Sequence, residues 1–115
     1  MSTRRLMASI IALAAGLAVA GMVLAAKGPN PYRGRTLFKS TCKLCHHKGG
    51  EAANLTPMSK TQAQWEGFFK NRSTPCVKRV ETKTQKTLNE TDLADMKLFL
   101  VSHAADSDQP ETCGE

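Results

Sequence analysis

Aromatic side chains are scarce in this chain: one Trp, one Tyr and four Phe among 115 residues. So few large apolar groups limit the hydrophobic core, and the length excludes a two-domain enzyme with its own cofactor-binding half. No internal repeat, low-complexity tract or convincing strand pattern occurs. Charge of one sign is only modestly in excess: 16 Lys and Arg against 10 Asp and Glu give a formal +6. Two of those cations, Arg4 and Arg5, lie in an N-terminal segment unlike the rest, which leaves the remainder mildly basic. That charge is low for a nucleic-acid surface, and no nucleic-acid-binding motif accompanies it.

From Leu6 to Ala26 the chain runs for 21 residues without a charge. Preceded by Ser2-Thr3-Arg4-Arg5, this has the positive start and apolar run of an export signal, and Val23 and Ala25 occupy the small-residue positions of a cleavage site. Residues 1–25 are expected to be a signal peptide; eight alanines make the run a weak membrane span. The run is also longer than an ordinary signal core, so an uncleaved anchor through residues 6–26 is the second expectation. Both place the domain on the oxidising side of a membrane, periplasmic or otherwise exported. Residues 26–31, with Gly28, Pro29 and Pro31, read as a linker. Residues 32–105 read as the folded domain and 106–115 as an acidic tail.

Three helical stretches are legible, which predicts a small all-α domain. The first runs from Tyr32 to about Leu44. The second follows Pro57, where Ser59 with Gln62, or Thr61 with Gln64, can form a capping box ahead of Trp65, Phe68 and Phe69. The third has the clearest start: Asn89 caps with Asp92, Leu88 and Leu93 sit at staple positions, and Leu93, Met96, Phe99, Leu100 and His103 share one face. Between the second and third, Lys70 to Lys86 reads as a solvated basic stretch with six cations against Glu81 alone. Such a stretch would steer an acidic partner toward the domain.

The chemistry concentrates in Cys42-Lys43-Leu44-Cys45-His46. This is the C-x-x-C-H arrangement of c-type haem attachment. Two thiols three positions apart on one helical turn reach two vinyl groups of one porphyrin, and the adjacent imidazole comes under the ring to bind iron. A thioredoxin-type couple or half a zinc site would also use Cys-x-x-Cys, but no βαβ pattern surrounds it and neither explains His46. The expected cofactor is one covalent haem c with its iron, held by Cys42, Cys45 and His46.

The run from Gly34 through Phe38 to Cys42, with Cys45 and His46, resembles the first helix and haem site of the class I c-type cytochrome family. The resemblance covers roughly Tyr32 to Ala104 and implies a small helical domain wrapped around the haem. It implies that Gly34 lets the last helix cross closely, with Phe38 packing into the crossing against Phe99 and Leu100. Leu55-Thr56-Pro57 is similar to the family's loop in which a proline carbonyl accepts the proximal histidine's hydrogen bond. The departure is the sixth iron ligand, since Gly67 to Asn89 contains neither Met nor His. Met58 is the favoured candidate because thioether is the family's usual ligand. Met96, His103, His47, Cys76, a lysine and an open sixth position are the other readings.

Cys76 and Cys113 are the two cysteines outside the motif, and in an oxidising compartment they are expected to pair as a disulfide. Closing that 38-residue loop would contribute about 4 kcal/mol. The function expected is a monohaem c-type cytochrome carrying single electrons between redox protein partners, acidic or membrane-bound, with no substrate turned over. Two readings stand beside it: a haem protein with an open sixth site that binds diatomic ligands or reduces peroxide, and a membrane-tethered cytochrome subunit of a respiratory complex.

Overall fold

The computed structural model describes residues 27–112. The expected export segment and Cys113 lie outside the described residues. Among the described residues there are four α-helices: α1 (Pro31–Ser40), α2 (Gln62–Gly67), α3 (Ser73–Thr84) and α4 (Glu90–Ser102). No strand occurs among the described residues. A 3-10 turn at Cys42–Leu44 follows α1, another at Pro57–Ser59 precedes α2, and a π-helical stretch at Phe68–Arg72 joins α2 to α3.

Helix α1 begins where Asn30 accepts the backbone N–H groups of Tyr32 and Arg33 at 3.0 and 3.2 Å, with Pro31 in the first turn. It ends at Ser40, four residues earlier than expected, and the motif that follows sits on a separate 3-10 turn. Helix α4 starts as its sequence predicts: Asn89 and Asp92 exchange side-chain and backbone hydrogen bonds at 2.9 and 3.1 Å. Its buried residues include Met96, Phe99 and Leu100, and also the carboxylates Asp92 and Asp95.

These two helices cross at Gly34. A Cβ there would lie 2.0 Å from the Asp95 carbonyl oxygen, so only glycine permits the approach. Phe38 and Phe99 meet beside the crossing with ring centroids 6.0 Å apart, and Trp65, Leu100 and Ala104 complete the buried core. Polar bonds reinforce the packing. The buried Asp95 accepts the Asn30 N–H at 2.8 Å and Arg33 at 2.5 Å, and Arg33 also pairs with Asp92. The Asn30 N–H, helped by Arg33, holds the Asp95 carboxyl below its ordinary pKa against the opposing effect of burial.

Of the two capping boxes considered for α2, Thr61 with Gln64 forms at this helix, while Ser59 instead bonds Thr56 in the preceding turn. Beyond α2 the basic stretch is not a loop. It continues as the π segment and then α3, ending at Gln85, which has a left-handed φ of 57°. The ladder widens to π spacing just ahead of Pro75, which lacks the N–H that an α-helical bond back to Asn71 requires.

The acidic segment after Ala104 packs back on the domain. Asp106 accepts the Gln62 N–H at 2.7 Å, Ala105 N–H bonds the Lys60 carbonyl at 3.1 Å, and Glu111 pairs with Arg35. Asp106 thereby satisfies a free N–H in the first turn of α2.

Candidate functional site

Cys42, Cys45 and His46 are placed by the tight turn that leaves α1. The N–H groups of Cys45 and His46 both point to the Cys42 carbonyl, at 3.3 and 2.9 Å, so the two thiols and the imidazole belong to one rigid unit. Thr41 is buried at the junction: its hydroxyl donates to the Leu37 carbonyl at 2.6 Å and lies 3.7 Å from Cys42 Sγ and 3.6 Å from Met96 Sδ. Cys42 packs against the core beside Phe38. Burial pushes its thiol pKa up, and the Thr41 hydroxyl opposes that shift.

The chain after the motif folds back beneath it. Ala52 N–H bonds the Cys45 carbonyl and Leu55 N–H bonds the His46 carbonyl, each at 3.0 Å. Lys43, one of the two residues between the cysteines, ties the returning strand of chain by donating to Asn54 Oδ1 at 2.7 Å and the Leu55 carbonyl at 3.1 Å. The reversal uses two glycines. Gly49 has φ +78°, and a Cβ on Gly50 would come within 2.5 Å of the Cys45 carbonyl. These positioning residues escaped sequence reasoning, although adjacent glycines three residues beyond a histidine were the available signal.

His46 Nδ1 lies 2.8 Å from the Ala53 carbonyl oxygen. That bond corrects the family-based expectation, which assigned the acceptor to Pro57. The Pro57 carbonyl instead accepts the indole N–H of Trp65 at 2.7 Å. Trp65 is buried and its N–H needs an acceptor inside the core. The histidine is still oriented by a backbone carbonyl, from a residue four positions earlier, and its Nε2 faces away from that bond.

No family model, curated protein or solved structure matches this chain.

The candidates for a sixth ligand fall into different surroundings. Met58 is 41% exposed on the Pro57–Ser59 turn. Met96 is buried in the α1–α4 crossing beside Thr41, as a core methionine would be. His103 ends α4, packs on Phe99 at 5.2 Å, and has Nδ1 2.7 Å from the Gln109 carbonyl. His47 is exposed, with Nδ1 3.0 Å from the Lys43 carbonyl. Cys76 is exposed on α3; its proposed disulfide partner lies outside the described residues.

The motif's outer side is met by α3. Lys83 Nζ lies 2.5 Å from Glu51 Oε1 and 3.5 Å from Cys45 Sγ. The ammonium holds the Glu51 carboxyl below its usual pKa, and Glu51 raises that of Lys83 in return. Cys76, Arg79 and Lys83 recur at spacings of three and four, so they share the α3 face nearest the motif. Among the described residues no group of three or more His, Cys, Asp or Glu side chains converges as a protein-only metal site needs. No helix of the described residues is long and apolar enough to cross a membrane.

Proposed function

We propose that this chain is an exported monohaem c-type cytochrome that passes single electrons between redox protein partners. The observation that carries the proposal is the geometry of His46: its Nδ1 is engaged by the Ala53 carbonyl, one residue after two thiols that share a turn. An imidazole oriented in this way presents Nε2 as a ligand in a fixed direction. Cys42 and Cys45 fit two thioether attachments to the same ring, and the all-helical domain would wrap that ring with its apolar residues. When bound, the haem supplies a one-electron change at iron.

The protein's own contributions follow from the site. The Cys42–His46 turn fixes attachment and ligation relative to each other, and the Lys43 bonds to Asn54 and Leu55 hold the loop that orients the imidazole. Burial of Cys42 against the Phe38–Phe99 core would anchor one edge of the ring to the most tightly packed part of the fold. Met58 is the proposed sixth ligand, because its thioether stands exposed on its turn whereas Met96 is committed to the core. Lys78, Arg79 and Lys86 are exposed on and just beyond the helix that meets the motif, and would steer acidic or membrane-bound redox partners toward it. Neither a nucleic acid nor a small-molecule substrate enters this reading.

Optical spectra of the purified protein in both oxidation states test it. The account expects low-spin, six-coordinate haem throughout, with the weak near-infrared sulfur-to-iron band in the oxidised protein and its loss in Met58→Ala. A low-spin spectrum without that band would transfer ligation to a nitrogen such as that of His103. A high-spin reduced protein that binds carbon monoxide rapidly would replace the electron carrier with a ligand-binding or peroxide-reducing haem protein.

A further inference from the structure

Helix α3 differs from the other long helices in how it is held. Ser73, at its first position, is the only buried residue among its described side chains; Val77 and Val80 are half-buried and the cations Lys78, Arg79 and Lys83 are exposed. Its extensive packing is with the π segment from which it grows. Both ends depart from regular α-helix: the π stretch Phe68–Arg72 at one end and the left-handed Gln85 at the other. A π stretch and a left-handed residue are each places where a helix can change direction without breaking a packed core.

Against that weak packing stand two specific ties: Glu81 accepts the Leu88 N–H at 2.7 Å across Gln85, keeping that end of the helix near the start of α4, and Lys83 binds the body of the domain beside the motif. Lys83 Nζ reaches Glu51, in the loop that closes beneath the cysteine motif, and touches Cys45 Sγ. The ion pair is exposed, with 41% and 72% of the two side chains accessible. Pairs of this kind are weak and screened by salt, so they restrain a helix without locking it.

We infer that α3 is a latch over the cysteine–histidine motif, closed by the Lys83–Glu51 pair and opening about Phe68–Arg72 and Gln85 while α1 and α4 stay packed. Opening bares the outer side of Cys45 and the Glu51 loop. The latch is a property of the polypeptide and does not rest on the identity of the cofactor.

Hydrogen–deuterium exchange of the full purified protein, followed by mass spectrometry, tests the inference. Peptides covering 73–84 are expected to exchange about tenfold or more faster than those covering 90–102, because opening α3 is a local event. Lys83→Met and Glu51→Gln should each accelerate exchange in 73–84 about two- to fourfold and leave α1 and α4 unchanged. Raised ionic strength should accelerate 73–84 relative to 90–102 in the wild type and not in either variant. Equal protection of α3 and α4, or variants that leave the α3 rate unchanged, would overturn the latch. Because the readout follows backbone amides, failure of the latch and failure of the haem reading are separately visible.

Discussion

The α1–α4 crossing and helix α3 are built on opposite principles. At the crossing a glycine brings two backbones into contact, Phe38 and Phe99 pack beside it, and the buried Asp95 has its hydrogen bonds satisfied by Asn30 and Arg33. Helix α3 buries little and is tied to the domain by the exposed Lys83–Glu51 pair and by Glu81, which accepts the Leu88 N–H at 2.7 Å. The cysteine–histidine motif lies between them: Cys42 leans on the core that the crossing builds, and Cys45 faces Lys83 of α3. The contrast separates what holds the fold from what meets the site.

The largest effect that tests this contrast is truncation of Phe99. Replacement by Ala should cost about 3–5 kcal/mol in denaturant unfolding, since the side chain is buried at the centre of the core. Val80→Ala on α3 removes only a half-buried side chain, and its cost should be at most about 1 kcal/mol. Comparable losses from the two variants would erase the distinction.

Removing a charge should separate the regions next. Asp95→Ala leaves the Asn30 N–H without its acceptor and Arg33 with Asp92 alone, at a cost of about 2–3 kcal/mol, whereas Glu51→Gln on the exposed pair should leave the unfolding midpoint unchanged. The same carboxylate gives a pH signature. Its folded pKa is depressed, first by the Asn30 N–H and then by Arg33, so its stabilisation is complete above the unfolded value of roughly 4 and is lost as pH falls through the folded value. Stability measured from pH 6 to pH 2 should therefore decline less steeply below about 4 in Asp95→Asn than in the wild type.

Gly34→Ala comes third. Helix propensity favours alanine by about 1 kcal/mol, but its Cβ would collide with the Asp95 backbone; separating the helices should leave a net loss of about 2 kcal/mol. A smaller loss belongs to the returning tail. Asp106→Ala should cost about 1 kcal/mol by freeing the Gln62 N–H at the start of α2. No loss in that variant would return residues 106–112 to a solvated appendage.

What could be read in the sequence divides along the same line. Helix α4 was legible because its capping box and apolar face are local, and Gly34 because a glycine inside a helix needs a reason. The cysteine–histidine motif was legible because its spacing is chemical. Helix α3 was not, since Val77 and Val80 are its only aliphatic residues, Pro75 interrupts its first turn and no apolar stripe marks it. The early end of α1 was hidden because the 3-10 turn carrying the motif continues a helix-like pattern. Resemblance points to Pro57 as the acceptor for His46, but Trp65 takes that carbonyl, a competition set by burial rather than by neighbours in sequence. Burial of Asp92 and Asp95 was equally hidden, because their compensating partners, Arg33 and Asn30, lie about sixty residues away.

We propose that Cys42 and Cys45 hold one haem covalently with His46 on its iron, and acidified-acetone extraction of the purified wild-type protein is the sharpest test. The account predicts that the colour stays with the polypeptide, that its intact mass exceeds the apoprotein by one haem, and that Cys42→Ala retains at most one thioether. Colour passing into the organic phase, with Cys42 and Cys45 still free to alkylate in the denatured protein, would contradict it.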